Sequence, residues 1–221
     1  MSIYFRSLFF VFIILAIGCS SDGEPQGSED GFAYRDGIDF HSLPQPIATE
    51  DPSKIELVEA FWYGCIHCYN FEPYLKEYAA ELPEYVDLVK VPVAWNDYAE
   101  LHAKIYYAAE VLGITDEIHD EVFSAMNRDK KTLANEQAVL NLIEDLGQNR
   151  TAFQRAFNSF GVGAQISQSK ARITAAGVRG TPELIVNGKY RVGSSAGSQQ
   201  RMLEVANALI ERERELLSSQ Q

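Results

Sequence analysis

The chain has 221 residues, enough for one well-filled core or for a core carrying an inserted subdomain, and nothing in its composition marks a disordered or fibrous protein. It is acidic, with 31 Asp and Glu against 19 Lys and Arg and a net charge of −12. That balance excludes the basic footprint that nucleic acid requires, and it excludes electrostatic adhesion to anionic lipid.

At the N-terminus, Arg6 is followed by the apolar stretch Leu8 to Ile17 and then by "LAIGCS". This is a signal-peptide pattern, too short to cross a membrane as a helix. Small Ala16 and Gly18 precede Cys19, so residues 1–19 resemble a bacterial lipoprotein signal whose cysteine becomes the lipidated first residue. An ordinary cleaved signal is the alternative, and both imply export. Attachment to a membrane would rest on the lipid, because a single acyl chain binds only marginally. With Cys19 consumed, Cys65 and Cys68 are the remaining thiols, and an exported compartment permits their oxidation. "SSDGEPQGSEDG", residues 20–31, reads as a flexible tether.

"FAYRDGIDFHSLPQP" carries a DG turn between short alternating runs and predicts a small hairpin or edge strand. "KIELVEAFWYG" follows as a largely apolar central strand. The cysteines stand where it stops. From Tyr69 the spacing turns helical, with Phe71, Tyr74, Leu75, Tyr78 and Ala79 on one side, and Pro73 is expected to kink that helix. "YVDLVKVPVAW", residues 85–95, is a second strand, and a strand, helix, strand crossover implies parallel pairing.

Residues 99–178 read as helix throughout, in the segments "LHAKIYYAAEVLG", "DEIHDEVFSAMN", "NEQAVLNLIEDLG", "RTAFQRAFNSF" and "GAQISQSKARITAAG". Such a block between strands should form its own helical layer. The sheet resumes in "PELIVNGKYRV", where Asn187-Gly188 predicts a tight hairpin, and "QQRMLEVANALIERERELL" closes the chain as an amphipathic helix.

The pair in "FWYGCIHCYNFE" has three readings. A structural zinc site needs four ligands, and this chain has a single C-x-x-C with His41, His67, His102 and His119 scattered. A purely structural disulfide is the stronger alternative, although so small a loop constrains the unfolded chain little. Thiol chemistry fits the location best: Cys65 falls at a helix N-terminus, where free N–H groups and the helix dipole favour a thiolate, and Cys68, one turn on, is suited to resolving a mixed disulfide. His67 either adds a donor or a positive charge to that thiolate or is an exposed helix histidine. Glu59 and Lys90 interrupt strands expected to be buried, where charges have partners; Glu72 falls either on a solvated face or one turn beyond Cys68. Phe61, Trp62, Tyr63, Tyr69 and Phe71 read mostly as core, leaving those beside Cys65 as candidate substrate contacts.

Together with "RGTPELIVNGKY", this motif resembles the DsbA family of exported thiol–disulfide oxidoreductases, from about Tyr34 to the final helix. The resemblance implies an α/β thioredoxin fold with an inserted all-helical domain, divided as residues 32–98 and 179–221 around an insertion at 99–178. It puts the active-site cis-proline on Pro182. Cys65, Cys68, His67 and Pro182 become the catalytic set, Thr181 and Ile66 substrate contacts, and Glu59, Glu72 and Lys90 charged groups that assist proton transfer at the buried cysteine. Ile66 stands where the best-known members carry proline, which leaves oxidising strength open.

The implied activity is disulfide formation in unfolded or reduced exported clients, with no cofactor, since the cysteines carry the electrons. A membrane partner of the DsbB type would reoxidise the enzyme. No separate dimerisation segment is present in the sequence, so a monomer is expected. A reductase of exported thiols, a client-binding chaperone and a metallochaperone are the rival functions.

Overall fold

The structure is a computed structural model that describes residues 32–218. The signal-like segment with Cys19 and the whole tether, residues 20–31, lie outside the described residues. The strands are β1 (His41–Ser42), β2 (Ile55–Phe61), β3 (Val86–Pro92), β4 (Glu183–Val186) and β5 (Tyr190–Val192). The helices are α1 (Ile66–Ala80), α2 (Asp97–Leu112), α3 (Thr115–Asn127), α4 (Glu136–Asp145), α5 (Arg150–Phe157), α6 (Phe160–Ala175) and α7 (Gln199–Ser218). The five strands form one mixed sheet in the order β1-β5-β4-β2-β3. β2 and β3 run parallel across the α1 crossover, and the other pairs are antiparallel. This is the expected thioredoxin-like α/β architecture, with helices α2–α6 inserted between β3 and β4.

β2 is buried at every residue, as a central strand covered on both faces must be. Its alternation sorts the core. Ile55 and Leu57 face Phe71 and Leu75 of α1 and Val205 and Leu209 of α7, whereas Val58 and Ala60 face Ile173 on α6. Glu59 shares the face of Leu57, and Phe61, two residues on, enters the core of the helical insertion. The sheet register sets Glu59 directly beside Lys90 on β3.

Asn96, Asn135, Asn149 and Ser159 each accept a backbone N–H in the first turn of α2, α4, α5 and α6, caps that contribute about 1 kcal/mol apiece. The Ser159 cap moves one boundary. The sequence reading carried the fifth segment's predecessor through Phe160 and started the next helix at Gly163, but the Ser159 hydroxyl accepts from Val162 N–H at 3.2 Å, so α6 begins at Phe160. α1 runs unbroken through Pro73, which lacks only the donor that would reach the Tyr69 carbonyl. The hairpin turn is the expected one: Asn187 and Gly188 have φ of 48° and 62°, and a Cβ on Gly188 would lie 2.1 Å from the Ile47 carbonyl oxygen. Among the described residues, no helix is long and apolar enough to cross a membrane.

Candidate active site

The turn between β2 and α1 sets the first cysteine. Cys65 N–H donates to the Trp62 carbonyl at 2.9 Å, and the Cys65 carbonyl accepts from Tyr69 N–H at 3.0 Å. Cys65 is therefore the N-cap of α1, in extended conformation. Gly64 is required here, since a Cβ would meet the Trp62 ring at 2.5 Å. Trp62 is held in turn by its indole N–H, which donates to His102 Nδ1 at 3.0 Å.

From this position the Cys65 sulfur meets the free donors of a helix start. Hydrogen bonds from the Cys68 thiol above all, then from the Thr181 side chain and the N–H groups of Cys68 and His67, outweigh burial and bring its pKa down to about 5. While protonated, the Cys65 thiol donates to the Thr181 carbonyl at 3.2 Å. Thr181 precedes Pro182 across a cis peptide bond. Cys68 is fully buried; burial, its bond to Cys65 and the neighbouring charges of Cys65 and Glu59 push its thiol far up. Both thiols are free. Two sulfurs one helical turn apart thus differ in kind, one a partly exposed, stabilised anion and the other a buried thiol. His67 is exposed, and its carbonyl accepts from Gln199 Nε2 at 2.6 Å. It supports Cys65 through its backbone N–H. Ile66 is 44% exposed at the first turn.

Beneath Cys68 the structure brings together the three charged candidates. Lys90 Nζ donates to Glu59 Oε2 at 2.8 Å and to Glu72 Oε1 at 2.6 Å. Glu72 is buried, so the solvated-face reading does not hold; it lies on the inward stripe of α1 with Cys68, Phe71 and Leu75. The same Oε1 also meets His119 Nε2 at 3.3 Å, and His119 Nδ1 meets the Tyr63 hydroxyl at 2.8 Å. Glu59 Oε1 and Glu72 Oε2 are buried without a partner. The two carboxyls are driven apart. Burial raises Glu59 to about 7 against the pull of Lys90, while at Glu72 burial is overcome by the His119 bond and Lys90, which hold it near about 2.

His119 has no site role in the sequence pattern beyond exclusion as a zinc ligand, and Tyr63 reads there as a core aromatic or a substrate contact and not as a hydrogen-bond partner. The signal was present: His119 falls on the apolar stripe of α3 with Ile118, Val122, Phe123 and Met126, all buried. A second missed residue is Glu183, directly after the cis bond. Its Oε1 accepts from Gly180 N–H at 3.1 Å and Arg179 N–H at 3.3 Å, and its Oε2 from Arg191 at 2.8 Å. A carboxylate opening a buried strand was the available clue. Of the aromatics, Phe61, Tyr63 and Phe71 are core, as expected, and Trp62 and Tyr69 are half-buried.

Grooves flank the cysteines. One of about 480 Å³ is lined by His67, Asn70, Thr181, Pro182, Glu183 and Gln199. Another of about 790 Å³ follows α1 past Tyr69, Pro73, Tyr74, Phe123 and Gln199. A further groove of about 890 Å³ is lined by Lys90, Val91, Tyr106, Tyr107 and Arg172 among others. Among the described residues, no group of three or more His, Cys, Asp or Glu is arranged to hold a metal ion.

Residues 86–207 match the DSBA-like thioredoxin domain, a stretch that includes Lys90, His119 and Pro182 but begins after the cysteines. The chain is 37% identical over 179 residues to the thiol:disulfide interchange protein DsbA of Azotobacter vinelandii, covering 80% of this chain and 84% of that one. The protein of the same name from Pseudomonas aeruginosa is 35% identical over 182 residues, covering 82% and 86%. Its crystal structure superposes with a TM-score of 0.82 at 33% identity, across 87% of this chain and all of that one. The Xylella fastidiosa oxidoreductase DsbA gives 0.75 at 27% identity, across 82% and 98%.

Proposed function

The chain belongs to the DsbA-like thioredoxin family of thiol–disulfide oxidoreductases, and from that premise we propose that its C-I-H-C pair, Cys65 to Cys68, forms disulfides in exported client proteins. One observation carries the reading: the accessible sulfur is the stabilised thiolate and therefore the good leaving group, while its partner is buried and protonated. In the oxidised enzyme a client thiolate attacks Cys65, forming a client–Cys65 disulfide and breaking the Cys65–Cys68 bond. Cys68 leaves as a buried thiolate and takes a proton from Glu59, the neighbouring carboxyl that holds one near neutral pH. A second client thiolate then attacks the client sulfur of the mixed disulfide, and Cys65 departs as its thiolate. The client loses two electrons and the enzyme gains two.

Thr181 and Ile66 are the proposed client contacts, with Pro182 fixing the loop beside Cys65 and an extended client adding to it as a strand. His67 serves through its N–H. Glu72 and Lys90 set the charge of Glu59. The lipoprotein-like signal at Cys19 supports an extracytoplasmic, lipid-anchored protein, and the family's chemistry calls for reoxidation by a membrane partner of the DsbB type.

The reduction potential tests the direction. Equilibration in glutathione buffers followed by thiol alkylation should give a value near about −120 mV, which is the family's own benchmark and not a figure worked from this chain. A value near about −270 mV, the thioredoxin end, would overturn the oxidase reading in favour of a reductase. Cys68→Ser should accumulate mixed disulfides with a reduced client; a protein that suppresses aggregation but forms no such adduct would be a chaperone.

A further inference from the structure

The buried cluster under Cys68 holds two carboxyls and one ammonium. Ionising both carboxyls leaves an uncompensated negative charge in the core, so one of them retains a proton near neutrality, and the two titrate as a pair. Lys90 cannot decide which, since it donates to both, at 2.8 and 2.6 Å. Burial already leans toward Glu59 as the protonated partner, since it is completely buried and Glu72 slightly less so, and α3 adds a specific asymmetry to that. His119 Nε2 lies 3.3 Å from the Glu72 oxygen that Lys90 already contacts, and no counterpart reaches Glu59, whose second oxygen is unpartnered.

We propose that His119 is a positioning residue that assigns the exchangeable proton: by donating Nε2–H to Glu72 it keeps that carboxyl ionised and leaves Glu59 as the one that gives and takes a proton beside Cys68. The assignment deepens the proton-transfer role given to Glu59 above and rests on that reading only for its consequence in catalysis.

The tautomer follows from the neighbours. Tyr63 is buried and its phenol stays protonated, so its hydroxyl, 2.8 Å from His119 Nδ1, has a hydrogen to give there, and in the proposed arrangement it is the donor. Nε2 must then carry the ring hydrogen and aim it at Glu72. The reverse tautomer would point a ring lone pair at Glu72 Oε1 and would require Glu72 to hold the proton. Tautomer and carboxyl state are thus one choice. An imidazolium is disfavoured by burial and by Lys90. The ring is also locked by edge contacts with Phe61, Tyr63, Tyr106 and Phe123, so it cannot turn to serve Glu59.

Other charges act on these groups. Glu59 is faced by Lys90 from β3, by Glu72, Cys68 and Cys65 from α1 and its cap, and by Tyr106 from α2. His119 is faced by Glu72, Lys90 and its neighbour Asp120, and Tyr63 also by Tyr106 and Glu110. All of these remain in place when the His119 donor alone is changed.

The test is a carbon-13 carboxyl titration of the reduced full chain, with Glu59→Gln and Glu72→Gln assigning the two resonances. In the native protein Glu59 should titrate near neutrality, with Glu72 flat across that range. His119→Gln, which retains a donor, should preserve the pattern. His119→Phe keeps an aromatic ring and removes the donor; the Glu72 midpoint should rise, and that of Glu59 should fall, each by about one pH unit or more. The pH profile of Cys68 attack on a Cys65–glutathione disulfide should move with Glu59. If His119→Phe does not fold, Tyr63→Phe/His119→Phe, which strands no hydroxyl, replaces it. An unmoved Glu59 midpoint in a folded donorless variant overturns the proposal, as does a native protein in which Glu72 titrates near neutrality. If the midpoints move as stated but Glu59→Gln leaves Cys68 attack unchanged, the assignment stands and the proton-transfer reading of Glu59 fails.

Discussion

Reducing the disulfide creates a thiolate at Cys65, and the pH dependence of that event can be worked from the site. The cysteine's pKa falls from 9.0 to about 5 on folding, through the Cys68 thiol, Thr181 and two helix N–H groups. For a depressed pKa, the stabilisation is fully present above the unfolded thiol's value and is lost as pH falls through the folded one. Between about pH 5 and pH 7 the unfolded chain keeps the proton while the folded chain releases it, so each pH unit stabilises the reduced form by about 1.4 kcal/mol. That is roughly 2.7 kcal/mol at pH 7; because Cys65 is partly exposed, solvent screening brings the expectation to about 2 kcal/mol. In a two-electron couple this makes the disulfide a stronger oxidant by about 40 mV. Cys68 stays protonated in both states over this range and adds nothing, whereas Glu59 is raised by the Cys65 thiolate of the reduced form alone, so the subtraction is repeated in Glu59→Gln to isolate Cys65. The assay is urea denaturation of oxidised and reduced protein at a series of pH values, with thiolate absorbance locating the Cys65 midpoint. The reduced-minus-oxidised difference should climb from near pH 5 and still be rising at pH 7. A difference that stays flat across that interval would refute the placement of the thiolate among these donors.

Three further outcomes are expected. Glu59 has a raised pKa, so its contribution is full below the ordinary glutamate range and declines as pH rises through about 7; Glu59→Gln should abolish that decline, gaining on the order of 2 kcal/mol over the native protein above neutrality, read by chemical denaturation of the oxidised form. Glu183→Ala strips Arg191 and the N–H groups of Arg179 and Gly180 of their shared acceptor and should cost about 3 kcal/mol, with a weaker KM for a thiol peptide; a double-mutant cycle with Arg191 checks the pairing. Ile66→Pro leaves the His67 and Cys68 donors in place and suits the first helical position, so the Cys65 titration should move by less than about one pH unit; a larger shift would show that the Ile66 N–H supports the thiolate.

Much of this architecture was legible because period and punctuation agreed. The apolar run of β2, the crossover to β3, the Asn187-Gly188 turn and the five insertion helices each carried their own signal, and most helix starts are marked by an Asn or Ser that caps them. Boundaries moved where a cap lay outside the periodic run: Asn96 starts α2 at Asp97, ahead of the block read from residue 99, and Ser159 starts α6 at Phe160. Cys65, Cys68 and Lys90 could be read locally, as a motif and as a charge in a buried strand. Glu72 could not, because its burial depends on which face of α1 the sheet takes. His119 lies 47 residues from Glu72 in sequence, and nothing in either local pattern states that α3 folds over α1.

That contrast bears on how the site is built. Strand register alone brings Glu59 and Lys90 together, since neighbouring parallel strands place side chains of equal parity on one face. In a bare pair of this kind burial already favours the protonated carboxyl, and Lys90 opposes it. Adding Glu72 from α1 overfills the cluster with negative charge, which adds to burial in keeping one carboxyl protonated. Adding His119 from α3 gives a specific asymmetry between the two carboxyls. The thioredoxin core supplies the balanced pair, the active-site helix the excess charge, and the inserted domain the donor that directs it. The helical insertion therefore does more than cover Phe61: it reaches the chemistry of Cys68 through a single imidazole N–H.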